Sequence, residues 1–369
     1  MASSDPATHL SILWLRERFG WMGSHSGYDQ LCRVMPTVQA GRYLTTWRDL
    51  TQPPPRRSQR FLSWMARNVN PSPFYGLTST AAEVATVWQC FRQRPDLVHV
   101  TYVENQLGLL PGYGQRLSYK VVGTGHQPTS WWRLHHPHPE SVADLDALIV
   151  LSSSESAYFR QFLGDRVHVI PHGVDTQFFR PTDSVDGKQD PRFIFSGSWL
   201  RDLTTLLAVI ERVLAKAPAI QFDMIVPYSK RQNDYFYRLA RYPQVNWHGG
   251  ISDHQLCQLY QQASGLLLPL LDCTANNALL EAIACGLPVI TNDVGGVRDY
   301  TQPSFSTLLP LGDVDGFVDA ILEIADSPDL LRRRGTAARQ FAEQKLDWHR
   351  VAQQTFDLYQ RVSHEDRLH

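Results

Sequence analysis

The 369-residue sequence lacks several features that would assign it to a specialised class of protein. Its longest apolar runs, such as residues 265–271, are far shorter than the roughly 20 residues that a membrane-spanning helix needs. The net charge is −1, so no overall positive field points to nucleic acid as a partner. Five widely spaced cysteines without a C-x-x-C pattern favour reduced thiols in a cytoplasmic protein over a disulfide framework.

The N-terminal segment MASSDPATHLSILWL also lacks the basic region and cleavage site of a secretory signal peptide. We expect its apolar part to form a first strand instead. Hydrophobic residues make up 43% of the chain and charged residues 19%, which is typical of a globular protein. A chain of this length is expected to form about two domains.

Short β-type runs alternate with helical patterns, which predicts parallel sheets flanked by helices. A stretch rich in Asp, Gly and Pro at residues 180–192 interrupts this alternation as a linker, and the alternation then restarts. We therefore predict an α/β fold with two Rossmann-like, doubly wound parallel-sheet domains, residues 1–180 and 181–346, and a closing helix at 347–362 that packs back on the first. Ligands of such domains bind at the carboxyl ends of the strands, and the cleft between two domains is the expected site. The predicted strands are residues 11–15, 96–103, 118–125, 147–152 and 167–171, then 193–198, 220–226, 245–249, 265–271 and 288–293.

Residues 272–293, DCTANNALLEAIACGLPVITND, predict the loop, helix and following strand of one βαβ unit. Thr274 or Asn276 is suited to cap the helix, and a Gly-Leu-Pro sequence ends it. The open N-terminus of this helix offers backbone N–H groups and positive dipole charge to a diphosphate. Glu281, one turn into the helix, can then accept hydrogen bonds from ribose hydroxyls, as carboxylates do in dinucleotide sites. The alternative is that Glu281 is a solvated helix residue.

Together with residues 169–181, VIPHGVDTQFFRP, residues 276–300 resemble the retaining glycosyltransferases of family 4, which have the GT-B fold. Residues 245–272 and 311–321 resemble the segments that this family places before and after its donor motif. The resemblance covers most of the C-terminal half and is looser in the N-terminal half. It implies two domains facing across a cleft, with a nucleotide-diphospho-sugar mainly on the second and an acceptor on the first. It also implies that no metal is needed, because the helix dipole and basic side chains stabilise the leaving diphosphate.

The donor motif of the family is a Glu, seven residues and a second Glu. The second matches Glu281, whereas the first falls on Cys273, next to Asp272. Asn276 and Asn277 are then suited to replace the missing carboxylate at the donor sugar, and the tight loop survives because Asn tolerates left-handed geometry. The resemblance assigns donor binding to Gly23, Gly27, Ser198, Arg201, His248, Ile251, Cys273, Thr274, Asn276, Asn277, Ala278, Leu279 and Glu281.

A basic clamp for the diphosphate is the second family feature. The family often has Gly-Arg-Leu followed by a Lys, but Ser198 stands at the usual Arg position here. Arg201 is the cation nearby, and we assign it to the diphosphate; the alternative is a surface pair with Asp202. Lys230 and Arg231, which follow the next strand, are weaker alternatives.

The segment FGWMGSHSGYDQL, residues 19–31, follows the first predicted strand and resembles the Gly-rich loop that family members turn towards donor phosphate and acceptor. Gly23 and Gly27 permit close backbone approach, and His25 and Tyr28 are acceptor-binding candidates. At the end of a later strand, His126 matches a position where the family often has a His close to the transferred sugar. We predict sugar binding or transition-state support for His126, and a structural loop His is the alternative.

The segment WWRLHHPHPE, residues 131–140, raises the possibility of a zinc site through its three histidines. Their spacing fits no standard structural zinc motif, and no cysteine is close in sequence. We expect a loop with acceptor-facing aromatics, Trp131 and Trp132, and no metal site.

The segment RRSQRFLSWMARNV, residues 56–69, predicts a basic amphipathic helix. Its arginines and large apolar residues suit an anionic membrane surface and a lipid-linked acceptor. A packed domain helix with a solvated charged face fits the same pattern, so a peripheral contact with the inner face of the membrane stays open.

The leading hypothesis is a metal-independent retaining glycosyltransferase of polysaccharide or glycoconjugate biosynthesis. It would move a sugar, such as a hexosyl group, from a UDP- or GDP-sugar to a hydroxyl of a glycan, lipid-linked or small-molecule acceptor, with no cofactor and no nucleic-acid partner. His126, Arg201 and Glu281 are the predicted catalytic residues, and same-face attack assisted by the leaving phosphate is the mechanism that the family implies. The alternatives are a GT-B sugar-nucleotide epimerase and a catalytically weak nucleotide-sugar-binding partner subunit.

Overall fold

The computed structural model describes residues 9–19, 23–50, 54–70, 72–136, 138–182 and 190–364. The contacts divide the chain into two compact units. The first comprises Met1–Met22, Tyr28–His172 and His349–His369, and the second comprises Gly23–Gly27 and Gly173–Trp348.

The first unit contains a six-stranded parallel sheet. Its strands are β1 (Ser11–Arg18), β2 (Arg42–Asp49), β3 (Leu97–Val100), β4 (Lys120–Gly125), β5 (Ala147–Val150) and β6 (Val167–Val169), in the order β2-β1-β3-β4-β5-β6. Its helices are α1 (Gln30–Val38), α2 (Arg56–Val69), α3 (Leu77–Gln93), α4 (Val103–Gln106), α5 (Leu110–Leu117), α6 (Thr129–His135) and α7 (Ser153–Leu163). All four residues of β3 and of β5 are buried, as expected for apolar strands covered by helices on both faces.

The second unit repeats this architecture. Its strands are β7 (Arg192–Ser196), β8 (Gln221–Ile225), β9 (Val245–His248), β10 (Gly265–Leu268), β11 (Val289–Asn292) and β12 (Ser306–Leu309), in the order β12-β11-β10-β7-β8-β9. Its helices are α8 (Leu203–Lys216), α9 (Asp234–Leu239), α10 (Asp253–Gln262), α11 (Asn277–Ala284), α12 (Val314–Asp326) and α13 (Pro328–Phe341). In β10, Leu266 and Leu268 pack into one core cluster and Leu267 into the other, because successive side chains of a strand point to opposite faces.

The predicted α/β fold with two doubly wound parallel sheets is confirmed, since every strand pair in both sheets is parallel. Two strands were not predicted, β2 and β12. Both lie at the edge of a sheet and are only partly buried, so their sequences RYLTTWRD and STLL lack the continuous apolar run of a central strand. In the part of the chain that the structure describes, no helix combines the length and the apolar character required to cross a bilayer.

The closing helix, α14 (Trp348–His364), packs its apolar face against the first unit. Its Tyr359 hydroxyl lies 2.5 Å from Nδ1 of His99 on β3 and accepts a hydrogen bond from Nε1 of Trp14 on β1 at 3.5 Å. Burial lowers the pKa of His99 to about 3, so this imidazole is neutral at physiological pH. The helix therefore holds β1 and β3 through a buried polar contact as well as through apolar packing.

Residues 173–180 pack with the second unit, whereas the boundary predicted from the sequence follows residue 180. Phe179 is fully buried in a core cluster of that unit. Arg339 of α13 fastens the same segment: its Nη1 donates to Phe179 O at 2.9 Å and to Ala284 O at 2.8 Å, and its Nη2 donates to Thr176 O at 2.9 Å. One guanidinium thus joins the interdomain segment to the last turn of α11.

We expect Arg339→Ala to lower the free energy of unfolding of the second unit by about 3 kcal/mol, because three carbonyls lose a charged donor. The exposed neighbour Arg333 provides the matched control, and Arg333→Ala should change stability by less than about 0.5 kcal/mol. Urea unfolding followed by circular dichroism checks both values. Equal losses of unfolding free energy in the two variants would show that the three hydrogen bonds of Arg339 do not stabilise the second unit.

Candidate active site

The loops that follow β7 and β10 lie at the point where the strand order of the second sheet reverses direction. Sheets of this kind bind ligands outside the carboxyl ends of the strands at that point. The two loops pair with each other: Asp202 N donates to Pro269 O at 3.0 Å, and Leu271 N donates to Leu200 O at 2.9 Å. Leu200 has a φ of 53°, a left-handed conformation that is unfavourable for a residue with a side chain. The pairing therefore holds the β7–α8 loop in a shape that it would not adopt alone.

Asn276 caps α11, whereas Thr274, the other predicted candidate, does not. Its Oδ1 accepts hydrogen bonds from Ala278 N at 3.1 Å and from Leu279 N at 3.4 Å. The same oxygen accepts a third from Nη2 of Arg201 at 3.3 Å. Two of the backbone N–H groups predicted to meet a diphosphate are thus occupied by the chain's own amide in this conformation.

Arg201 lies next to the N-terminus of α11, and its assignment to the diphosphate stays a prediction. Its Nε and Nη2 donate to Ser196 O at 3.0 and 2.9 Å, and its Nη1 donates to Trp199 O at 2.8 Å. Burial lowers the pKa of Arg201 to about 10, so the guanidinium stays charged at neutral pH. Ser198 is half-buried in the same loop, between Gly197 and Trp199.

The alternative surface pair of Arg201 with Asp202 is wrong. The carboxylate of Asp202 instead caps α8, accepting from Thr205 N at 3.0 Å and from Thr205 Oγ1 at 2.6 Å. The charge of Arg201 is therefore directed to the loops of the sheet edge, where an anion would meet the helix.

Glu281 is buried, with 5% of its surface exposed, so the alternative of a solvated helix residue is wrong. Its Oε1 accepts from Ser26 Oγ, and its Oε2 accepts from Tyr260 OH at 3.1 Å. Burial raises the pKa of Glu281 to about 7, although the two hydroxyl hydrogen bonds oppose that shift. Glu281, Ser26 and Asn277 border one small cavity of the second unit.

The loop of residues 23–27 is held on the second unit by two carboxylates. His25 N donates to Asp253 Oδ2 at 2.9 Å, and Nδ1 of His25 lies 2.7 Å from Asp175 Oδ2. The His25 ring stacks on Phe178 with 3.7 Å between centroids. A Cβ on Gly23 would collide with the carboxylate of Asp253, so the absence of a side chain there lets the loop approach α10 closely. Gly27 has a φ of 88°, which favours glycine there as well.

His126 follows β4 in the first unit and lies in an aromatic environment. Its Nε2 donates to Thr101 O at 2.8 Å, because a carbonyl oxygen can only accept. Its ring stacks on Tyr102 at 4.0 Å and meets Tyr28 edge-on at 4.8 Å. Burial lowers the pKa of His126 to about 3, with a further lowering by His172. This histidine is therefore neutral at physiological pH.

Three residues predicted to face an acceptor are buried in the first unit instead. Trp132 is fully buried with its ring edge-on to Phe159, and Trp131 packs against Phe74. Tyr28 is also buried, and its hydroxyl lies 3.1 Å from Thr124 Oγ1. The three rings contribute to the packing of the first unit in this structure, and their assignment to acceptor binding stays a prediction.

The remaining predicted donor residues lie at the carboxyl edge of the second sheet or in its core. His248 ends β9 with its Nε2 2.7 Å from Asp223 Oδ1, and Ile251 is half-buried in the following loop. Cys273, in the position of the first motif Glu, is buried in the core cluster that also contains Leu279. The neighbouring Asp272 folds back, and its Oδ1 accepts from Cys273 N at 2.7 Å. The one carboxylate of this pair thus contacts its own backbone in this conformation.

The three histidines of residues 135–138 do not form a metal site with other side chains. His136 is buried and His135 is exposed, while Nδ1 of His138 lies 3.1 Å from Glu140 Oε1. More generally, no group of three or more His, Cys, Asp or Glu side chains is positioned to hold a metal ion across the described ranges of the chain.

Sequence reasoning missed Glu104, a buried carboxyl group that neighbours His126. Its Oε2 accepts from His126 N at 3.4 Å, and its Oε1 has no hydrogen-bond partner among the residues that the structure describes. Burial raises the pKa of Glu104 to about 8. An acidic residue directly after the apolar strand run of 96–103 was the available signal, since such residues lie at the carboxyl edge of the sheet.

Family comparisons agree with the geometry of both units. The model of Glycosyltransferase Family 4 matches residues 47–178, and the model of Glycosyl transferases group 1 matches residues 190–327. The chain belongs to the family 4 glycosyltransferases. Its two sheets are accordingly the two Rossmann-like domains of a GT-B fold.

Among curated relatives of this glycosyltransferase, MMP alpha-(1->4)-mannosyltransferase of Mycolicibacterium hassiacum is 26% identical over 279 residues, which is 67% of this chain and 66% of that protein. Alpha-maltose-1-phosphate synthase of Mycolicibacterium smegmatis is 24% identical over 66% of this chain and 68% of that protein. The D-inositol 3-phosphate glycosyltransferase of Streptomyces scabiei is 26% identical over 55% of this chain. The chain thus spans between half and about two thirds of the length of these relatives.

Solved structures of similar fold include sucrose-phosphate synthase from Thermosynechococcus elongatus, with a TM-score of 0.72, 19% identity and coverage of 95% of this chain and 99% of that one. Anabaena HepE in complex with UDP and glucose has a TM-score of 0.69, 14% identity and coverage of 96% and 100%. At such low sequence identities, the likeness to these structures establishes the fold of this glycosyltransferase.

We expect Asn276→Ala to lower the free energy of unfolding by about 1 kcal/mol, the usual value of a lost helix cap. The neighbouring Asn277→Ala is the control, because the Asn277 side chain does not cap the helix. Thermal unfolding of the two variants measures the difference. A loss of the same size in both would mean that Asn276 does not hold the helix N-terminus.

Proposed function

We propose that the chain is a metal-independent retaining glycosyltransferase that moves a sugar from a nucleotide-diphospho-sugar to a hydroxyl acceptor. The observation that carries the proposal is Glu281, a buried carboxylic acid one turn into α11, next to a helix N-terminus with Arg201 beside it. Family membership supports the class of reaction. The donor chemistry and its stereochemical outcome rest on the arrangement of these residues.

The diphosphate of the donor would bind at the N-terminus of α11. Positive dipole charge and backbone N–H groups favour an anion there. Because Asn276 Oδ1 occupies Ala278 N and Leu279 N, the diphosphate either binds beside the cap or replaces it. Arg201 already donates to that amide oxygen, so its charge is in place to stabilise the negative charge that develops on the leaving group.

The ribose of the donor would bind at Glu281. Ser26 Oγ already donates to Oε1 of this carboxylate, and a ribose hydroxyl has the same donor chemistry. Binding is then an exchange of one hydroxyl for another at the same acceptor. The solved complexes of HepE contain UDP, which supports UDP-sugars as the first donors to test.

We propose a retaining outcome because membership of family 4 favours it, and we propose same-face attack because, Glu281 apart, no carboxylate nucleophile is evident among the described residues of the site. Cys273 stands where the family has its first motif Glu, and Asp272 is folded onto the backbone. The acceptor hydroxyl would then attack on the face that the diphosphate leaves, which gives retention, and its proton would pass to an oxygen of the departing diphosphate. Arg201 and the helix dipole would assist that departure. His126, neutral because of its burial, would support the transferred sugar through hydrogen bonding.

We expect the affinity for a UDP-sugar to rise roughly tenfold between about pH 6 and about pH 8. The reason is that the raised pKa of Glu281, about 7, leaves the carboxyl group largely protonated at the lower pH, and an ionised carboxylate accepts ribose hydroxyls more strongly. In Glu281→Gln this pH dependence should vanish and the donor affinity should fall at the higher pH. Calorimetry measures the affinity. The ligand is a nucleotide sugar because its diphosphate diester does not change its charge over this pH range.

Ser26→Ala is the matched control for that experiment. It removes the hydroxyl that competes with ribose at Oε1 and leaves the carboxyl group in place. The variant should keep the pH dependence and shift its midpoint upward, because the lost hydrogen bond lowers the pKa of Glu281 in the wild type. A wild-type affinity that does not change with pH would remove Glu281 from the ribose site.

The second candidate is a catalytically weak nucleotide-sugar-binding partner subunit. Cys273 in the motif position and the occupied N–H groups of α11 favour it. Calorimetric binding of a nucleotide sugar, together with no transfer over a broad acceptor panel, would select this candidate. Transfer that gives a product with the anomeric configuration of the donor, identified by NMR, is the result expected for the enzyme.

A further inference from the structure

Helices α2 and α3 of the first unit pack on each other and expose four large aromatic side chains. The exposed fractions are 61% for Phe61, 56% for Trp64, 59% for Trp88 and 62% for Phe91. Each helix carries its two aromatics three residues apart, and the rings stack at centroid distances of 6.1 Å on α2 and 6.0 Å on α3. Single exposed apolar residues are common, whereas two stacked pairs on neighbouring helices form a patch.

These aromatics are not needed to hold either helix on the domain. Leu62 and Ala66 are the buried residues of α2, on the face opposite to the exposed pair. On α3, Val84 is exposed in line with Trp88 and Phe91, at the spacing of one helix stripe. Each helix therefore has an anchored face and, in addition, an apolar face that the first unit leaves uncovered.

The same surface is strongly basic. The sequence of α2 contains Arg56, Arg57, Arg60 and Arg67 and no acidic residue, and Arg92 and Arg94 lie at the end of α3. The one acidic residue of α3, Glu83, is buried, where it accepts from Tyr75 OH and from backbone N–H groups. None of these six arginines forms an ion pair with a described residue, so their charges are not neutralised within the described part of the chain.

We propose that this aromatic–arginine surface of α2 and α3 docks the first unit on the surface of an anionic phospholipid bilayer. Aromatic rings insert at the boundary between headgroups and acyl chains, while arginines attract anionic headgroups. Each arginine near such a surface is worth roughly a fivefold gain in binding. A second copy of the chain is a poor occupant, because a symmetric contact would bring arginines against arginines. The proposal does not rest on the donor chemistry of the second unit.

Vesicle co-sedimentation of the full chain tests the proposal. The probes are phosphatidylcholine vesicles and vesicles with about 30% phosphatidylglycerol, each at low and at high salt. We expect binding to the anionic vesicles, little binding to the neutral ones, and a loss of binding at high salt. The double variants Phe61→Ser/Trp64→Ser and Trp88→Ser/Phe91→Ser should each weaken binding at least tenfold, and Arg57→Glu/Arg60→Glu should do the same through charge.

Tyr228→Ser/Tyr237→Ser is the control, because these two aromatics of the second unit are equally exposed, at 67% and 58%. It should bind anionic vesicles like the wild type, and circular dichroism should show that all variants are folded. The proposal is overturned if the wild type does not bind anionic vesicles, or if the α2 and α3 variants bind as well as the control. It is also overturned if light scattering shows a dimer that the aromatic substitutions dissociate, since the surface would then be an interface between copies.

Discussion

The amide oxygen of Asn276 accepts three hydrogen bonds, and the geometry of the candidate donor site depends on that one atom. Two of the donors are the first-turn N–H groups of α11, and the third is Arg201 from the loop after β7. The cap fixes the start of the helix that carries Glu281. The bond to Arg201 fixes a half-buried positive charge against that start. A single neutral side chain thus links the helix dipole, the cation and the carboxyl group.

The pairing of two loops makes this arrangement durable. Leu271 N donates a hydrogen bond to Leu200 O, which joins the loops that follow β10 and β7. These two strands are neighbours in the sheet but are distant in the sequence. Leu200 has a left-handed backbone conformation at this contact. The backbone of Leu200 therefore sets the direction of the next side chain, Arg201. Its guanidinium donates hydrogen bonds to the carbonyl oxygens of Ser196 and Trp199. The guanidinium is therefore positioned before any ligand arrives.

Periodicity and resemblance were sufficient for the fold, because central parallel strands are continuous apolar runs with helical patterns between them. They were also sufficient to place Glu281 on α11 and to name Asn276 as one of two candidate caps. The edge strands β2 and β12 were not predicted, because half-exposed strands lack a continuous apolar run. The burial of Trp131 and Trp132 was not predicted, because a sequence does not distinguish an aromatic that faces a ligand from one that fills a core. The hydrogen-bond partners of Glu281 could not be predicted from the sequence, because Ser26 and Tyr260 lie 255 and 21 residues away in the chain.

The hydrogen bond of Tyr359 with His99 has a consequence for the order in which the chain can fold. α14 follows the entire second unit in the sequence, yet it covers β1 and β3 of the first. During synthesis the second unit therefore has most of its residues available before the first unit receives its last helix. Until then the imidazole of His99 lacks the Tyr359 hydroxyl, and the apolar flank of the sheet is open to water. Domains usually mature in the order in which they are translated; here the unit that starts first is completed last.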